Sequence, residues 1–321
     1  MTTTQHDVVR GSAAEWPAEP VDLDAYFARI GHTGPAAPTA EVLRRLHRAH
    51  MSTICFENID VALGRGVPLG VADLQAKLVD AGRGGYCFEH NLLFAAALTS
   101  IGFPVTRLLA RVRRGSTRAR YRSHAALLVR AEETMWLADV GFGDEGLVEP
   151  IPFVAGAELT TGDWTWRLDE EDGEWVLRCL HADGWFDVYS FRLERHCPVD
   201  FDVANYYTAT HPHSTFVGRL VAQRGGDHAR HSLLDNVLVT RHADGRSERR
   251  ELTAAETVEA LRSTFGIAVA AGDGALLRQW LSIKDDLPAF DDLLLRGWPG
   301  IANPHPINAP AGRARLAKED R

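Results

Sequence analysis

The chain has 321 residues, a formal net charge of −8, 45% hydrophobic and 24% charged residues. That length buries a sizeable core and allows two or three domains, and the composition is that of a folded globular chain. An acidic balance with no long basic run argues against nucleic acid as a partner.

Residues 1–20 are polar and Pro/Ala-containing and are read as a flexible lead-in without the apolar core of a secretory signal. Over Asp22–Ile30 the apolar residues Leu23, Tyr26, Phe27 and Ile30 recur at helical spacing. Thr39 is placed to cap a second helix with Val42, Leu43, Leu46 and His50 along one stripe. Val71–Ala81 reads as a third, ended by Gly82, and a fourth runs from Cys87 to Ser100 before Gly102 and Pro104. The first hundred residues thus read as a compact helical unit.

The pattern then switches to short strands. Val105–Val112, His124–Arg130 and Thr134–Val140 read as an antiparallel meander. Between the first two lies the one dense positive segment, Arg111, Arg113, Arg114, Arg118, Arg120 and Arg122, either a solvated hairpin or a contact for a phosphate-bearing ligand. Trp164–Leu168 and Glu174–Leu180 flank Asp172-Gly173, a hairpin signal, and Trp185–Phe191 continues the sheet. Leu220–Arg224 and Asn236–Thr240 read as strands, with Asp244-Gly245 as a turn. Thr253 and Glu256 form a capping box for a helix over Thr253–Phe265, Gly274–Ser282 is helical, and a tail begins near Gly297. No apolar stretch reaches the ~20 residues of a membrane span, so the expected location is the cytoplasm with reduced thiols. The cysteines Cys55, Cys87, Cys179 and Cys197 form no CxxC pair, and Cys87-x-x-His90 has no companion pair, so no metal is expected.

Chemistry concentrates at Arg83-Gly84-Gly85-Tyr86-Cys87-Phe88-Glu89-His90-Asn91. A thiol in the first turn of a helix meets backbone N–H groups without intrahelical partners and the positive end of the macrodipole. That setting favours the nucleophilic thiolate; the competing reading is a small buried hydrophobe. A nucleophilic cysteine needs a base, and that base needs an orienting group. His124 opens one strand and Asp139 lies near the end of the next. A hairpin centred between Ala131 and Glu132 pairs them directly, and one centred between Glu132 and Glu133 leaves them diagonal on one face. A centre on a single residue separates them. His124 also reads as a strand-edge histidine, and Asp139 as a structural carboxylate satisfied by amides of the Gly-rich turn Val140-Gly141-Phe142-Gly143.

These motifs resemble those of the arylamine N-acetyltransferases. The Cys87 segment is similar to that family's nucleophile motif, and Asp139-Val140-Gly141-Phe142-Gly143 to its acid motif. His124 falls where its histidine stands. Phe56-Glu57-Asn58 is similar to its upstream element, with Cys55 in place of the expected proline. Asn205-Tyr206 and Pro212-His213-Ser214-Thr215-Phe216 resemble its downstream signature, so the likeness spans Asp22–Phe216.

The resemblance implies an α+β fold: an N-terminal helical bundle, a central antiparallel β-barrel and a C-terminal α/β lid, with a core related to papain-like cysteine proteases. The expected segments are a lead-in over 1–20, a helical domain over 21–104, a barrel over 105–218, a lid over 219–296 and a tail over 297–321. It also implies Cys87, His124 and Asp139 as catalytic residues, and an acceptor pocket lined by Phe56, Phe142 and Phe216, each of which also reads as core packing. By the same resemblance, acetyl-CoA is the donor in a ping-pong reaction, used as a substrate rather than a tightly bound cofactor. The acceptor is an arylamine, hydrazine or hydroxylamine, in the manner of xenobiotic metabolism. The arginine segment is the candidate contact for the coenzyme A pyrophosphate. A macrolactam-forming amide synthase with the same triad is the alternative, and a cysteine hydrolase the third reading.

Overall fold

The computed structural model describes residue 16 and residues 19–116 and 120–284. Arg118, the tail and most of the lead-in lie outside them. Trp16 packs edge-on against Phe201, and its indole N–H donates to the His196 carbonyl.

Helix α1 (Leu23–Ile30) starts at Asp22, whose carboxylate accepts from the Ala25 N–H, and ends at Gly31 in the left-handed conformation. Thr39 caps α2 (Ala40–Thr53) as its sequence predicts. Two short helices follow: α3 (Ile59–Ala62), then α4 (Val71–Leu74), which runs into a π-helical turn over Gln75–Asp80. Helix α5 (Cys87–Ile101) is buried at every position from Cys87 to Leu98, so it is the central helix rather than an amphipathic surface one. The helical segment is not purely helical. Strand β1 (Phe56–Glu57) lies between α2 and α3 and pairs with a strand more than 150 residues later.

Eight strands form one antiparallel sheet in the order β5-β4-β3-β2-β9-β8-β7-β6. They are β2 (Val105–Val112), β3 (His124–Ala131), β4 (Thr134–Ala138), β5 (Ile151–Pro152), β6 (Ala157–Thr161), β7 (Trp164–Glu171), β8 (Glu174–His181) and β9 (Gly184–Phe191). Its two edges, β5 and β6, are joined by a short loop, so the sheet curls into a nearly closed barrel. Alternation explains the unbroken apolar run of β3. Ala125, Leu127 and Val129 pack with α5, whereas Ala126 and Leu128 face the barrel interior with Trp166 and Leu177. Asp172 and Gly173 both take positive φ in the turn between β7 and β8, as that dipeptide predicts.

The remaining strands are β10 (Val221–Arg224), β11 (Arg230–Leu234), β12 (Val237–Arg241) and β13 (Ser247–Glu251). With β1 at their edge they form a second sheet, which packs against α7 (Ala254–Ser263) and α8 (Ala271–Lys284) through Leu233, Leu238, Val258 and Leu277. Helix α6 (Pro198–Thr210) connects the two sheets. The sequence reading had no counterpart for α6, β6 or β11. No helix among the described residues is long and apolar enough to cross a membrane.

Candidate active site

Two close backbone approaches build the turn before Cys87. A Cβ at Gly84 would lie 2.0 Å from the Cys55 carbonyl oxygen, so only glycine lets the turn lie against β1. There the Glu57 N–H donates to the Gly85 carbonyl at 2.8 Å. Across the site, a Cβ at Gly141 would lie 2.8 Å from the Cys87 Cα, which brings the loop after β4 onto the start of α5. The Glu89 carboxylate accepts from the Tyr86 N–H at 2.9 Å and pairs with Lys77 at 2.7 Å, fixing that helix start. Cys87 is the first residue of α5, 3% exposed, with Sγ 3.4 Å from the Ser123 carbonyl oxygen.

The β3–β4 hairpin turns between Glu132 and Glu133, pairing Leu127 with Ala138. This is the diagonal register: His124 and Asp139 share a face, and His124 Nε2 lies 2.6 Å from Asp139 Oδ2. An ionised carboxylate only accepts, so Nε2 carries the proton of that bond and Nδ1 is left as the nitrogen open to a second partner. Burial drags the imidazole down. The Asp139 charge, its hydrogen bond and the Cys87 side chain outweigh burial and hold His124 up at about 9.

Asp139 is fully buried, which by itself raises a carboxyl. The facing His124 charge and hydrogen bonds from His124, Asn91 and Gly141 together pull it below its ordinary value. Its Oδ1 accepts from Asn91 Nδ2 and the Gly141 N–H, both at 2.9 Å. The two sequence readings of Asp139 therefore coexist: the Gly-rich turn satisfies one oxygen, and the other orients a histidine.

Asn91 links the parts. Its Nδ2 also contacts the Ala125 and Cys87 carbonyls, and its Oδ1 accepts from the Val140 N–H. The Tyr189 ring lies tilted against the His124 ring with centroids 4.8 Å apart; burial, then the Asp139 charge, raises its hydroxyl well above the ordinary value. His47 Nε2 accepts from the Asp139 N–H, so its proton sits on Nδ1 and goes to the Val148 carbonyl. Asn91 stood inside the quoted motif without a role. Tyr189 and His47 carried no local signal, because only the tertiary fold brings them to Asp139.

The site opens into a cavity of about 430 Å³ whose lining includes Cys87, His124, Phe56, Phe142 and Phe216. Phe142 stands edge-on to His124 at 5.0 Å, and Phe56 lies 5.7 Å from Phe216. Arg114, Arg120, Tyr121 and Tyr207 complete much of the wall. His90, the other half of Cys87-x-x-His90, turns away to His50 and the Cys55 carbonyl. Among the described residues, the three donor side chains within metal-binding reach of one another lie elsewhere, at Glu145, Cys179 and His181.

A helical segment, a nearly closed barrel and a cavity with a cysteine at a helix start define the N-acetyltransferase class, whose family profile matches residues 39–273. The arylamine N-acetyltransferase of Escherichia coli is 38% identical over 250 residues, covering 77% of this chain and 89% of that protein. The Salmonella typhimurium arylamine N-acetyltransferase / N-hydroxyarylamine O-acetyltransferase is 39% identical over 224 residues, covering 70% and 80%. The crystal structure of the Nocardia farcinica arylamine N-acetyltransferase superposes with a TM-score of 0.79 at 40% identity, covering 84% of this chain and 98% of that one. The chain belongs to the arylamine N-acetyltransferase family.

Proposed function

We propose that this protein transfers an acetyl group from acetyl-CoA through a Cys87 thioester to an arylamine, arylhydrazine or arylhydroxylamine. The observation that carries the reading is Cys87 and the hydrogen-bonded His124–Asp139 pair on the wall of a cavity lined by three phenylalanines. In the first half-reaction the Cys87 thiolate attacks the thioester carbonyl. N–H groups of the first turn of α5, which helix geometry leaves without intrahelical acceptors, face the developing oxyanion. The C–S bond to coenzyme A breaks, and the His124 imidazolium gives its proton to the departing thiolate. In the second half-reaction the amine attacks acetyl-Cys87, neutral His124 takes the amine proton, and the Cys87 thiolate leaves with the pair restored.

Asp139 keeps the imidazole in one orientation and stabilises its charged form. Phe56, Phe142 and Phe216 supply an apolar surface for a flat aryl group and limit the water that would hydrolyse the thioester. Four free cysteines accord with a reducing cytoplasm. The relatives' names carry acetyl transfer, and none of those reported above points to macrolactam formation. Steady-state kinetics over a panel of arylamines, arylhydrazines and hydroxylamines tests the reading. Parallel double-reciprocal lines against acetyl-CoA support it; converging lines, which require both substrates bound together, contradict it.

A further inference from the structure

Two histidines on α2, His47 and His50, are fully buried behind the site, and the reaction steps above use neither. Their connections differ. His50 lies 2.8 Å from the Tyr26 hydroxyl and 2.9 Å from His90 Nδ1, and His90 in turn reaches the Cys55 carbonyl. His47 reaches the loop that carries Asp139.

The β3–β4 ladder ends with the pair Leu127 and Ala138, so the Asp139 N–H lies one residue past it. His47 Nε2 accepts that N–H at 3.1 Å. His47 Nδ1 donates at 3.1 Å to the Val148 carbonyl near the far end of the same loop, and the neighbouring Arg48 pairs with Glu149 at 2.9 Å. One imidazole therefore ties the start of the 139–150 loop to its end. Between the two ties lie Gly141, packed against the Cys87 Cα, and Phe142, edge-on to His124. Asn91, Gly141 and His124 hold the Asp139 carboxylate, whereas His47 holds the main chain that bears it. The Phe94 ring of α5 stands edge-on to the His47 ring at 5.9 Å and limits its rotation.

Resting on the acetyl-transfer reading above, we propose that His47 is a positioning residue for the reaction: it clasps the Asp139 loop so that Asp139 and His124 stay aligned with Cys87. His47 does not line the cavity, so it acts through Asp139. An amide N–H only donates and a carbonyl only accepts. The clasp therefore needs one acceptor and one donor on the same side chain, which a neutral imidazole supplies and an aliphatic group does not. A buried N–H without an acceptor is costly, so the start of the loop shifts to satisfy it and takes Asp139 off the His124 ring. Misplacement of that kind slows the chemical step more than it weakens binding.

The test measures single-turnover acylation of Cys87 by acetyl-CoA in the wild type, His47→Met, His47→Gln and His50→Leu, with circular dichroism to verify folding. His47→Met should acylate about thirtyfold more slowly, with half-saturation by acetyl-CoA unchanged within about twofold. The upper pH limb of acylation, set by His124 at about 9, should move down in His47→Met, because a displaced Asp139 no longer holds the imidazolium. The titratable groups packed against His124, namely Asp139, Cys87 and Tyr189, are unaltered by that substitution. His47→Gln has the same chain length as His47→Met but carries an acceptor and a donor, and should return the rate to within about threefold of wild type. His50→Leu removes an equally buried histidine with no tie to the Asp139 loop, and should also stay within about threefold. A wild-type rate in folded His47→Met overturns the positioning role, as does an equal loss in His50→Leu or a His47→Gln variant no faster than His47→Met. A readout on the wild type needs no variant to fold: a 15N–15N scalar coupling across the hydrogen bond between the Asp139 amide and His47 Nε2 is expected in the NMR spectrum, and its absence likewise overturns the role. If acetyl-CoA leaves no acetyl group on wild-type Cys87, the acetyl-transfer reading itself fails. If the adduct forms and His47→Met forms it equally fast, only the positioning role fails.

Discussion

A cysteine, a histidine and a carboxylate meet at Cys87 and again at Cys179, and their surroundings differ. At the first, Cys87 starts a helix on the wall of a cavity, with His124 and Asp139 behind it. At the second, Glu145, Cys179 and His181 place their donor atoms within 4.8 Å of one another. Here Cys179 sits inside strand β8, fully buried, and does not line the cavity. The Arg230 guanidinium fills the middle, 2.7 Å from Glu145 and 3.4 Å from Cys179 Sγ, stacked 3.5 Å over Trp164. Its charge, with that of His181 and Arg241, holds Glu145 far below the usual carboxylate range despite burial. The same three residue types thus border an open cavity in one place and surround a buried cation in the other. Helix position and access to a substrate separate them, not composition.

Removing each cysteine breaks or sharpens that contrast most strongly. Cys87→Ala should lower acetyl transfer by about 10³-fold or more, as expected for loss of a covalent nucleophile, with an unchanged circular dichroism spectrum. Cys179→Ala should keep turnover within about threefold. Comparable losses in the two variants would erase the distinction. Asp139→Asn should cost about 10³-fold in kcat, because an amide oriented by Asn91 and Gly141 no longer stabilises the imidazolium. At the other node, Arg230→Met should cost about 3 kcal/mol in denaturant unfolding by stranding Glu145, and kcat at low temperature should survive.

Smaller effects come from pH. Because His124 is raised to about 9 in the folded state, its stabilisation is complete below its ordinary 6.5 and is lost as pH rises through about 9. Acylation of Cys87, which needs the imidazolium as proton donor, should decline over the same upper range in stopped-flow measurements. Acid acts on other groups. Burial holds His47 and His90 down at about 4 and His50 well below its ordinary value. The unfolded chain takes up those protons first, so stability should fall steadily from pH 6.5 towards 4. A Tm that stays flat across that interval would contradict neutral buried histidines.

Much of this was legible in the chain. Caps at Thr39 and Thr253, the Asp172-Gly173 turn and the residues around Cys87 carry local chemistry that needs no tertiary context. The register joining His124 to Asp139 was not, because it depends on Glu132 taking a positive φ, which no glycine or asparagine announces. Helix α6 was hidden for a different reason. Val199, Val203 and Tyr206 are exposed, whereas Asn205 and Thr208 face inward with Phe201, which inverts the expected stripe. Strand β11 begins with Arg230, a buried charge that breaks its apolar pattern until its partners on the 139–150 loop and β8 are in view.

The central claim is that Cys87, and not Cys179, carries the acyl group between substrates. Intact-mass measurement after mixing the protein with acetyl-CoA alone, followed by peptide mapping, tests it most directly. The account predicts one acetyl group, located on Cys87 and discharged when an arylamine is added. An unmodified Cys87, or an acetyl group on Cys179, would contradict it.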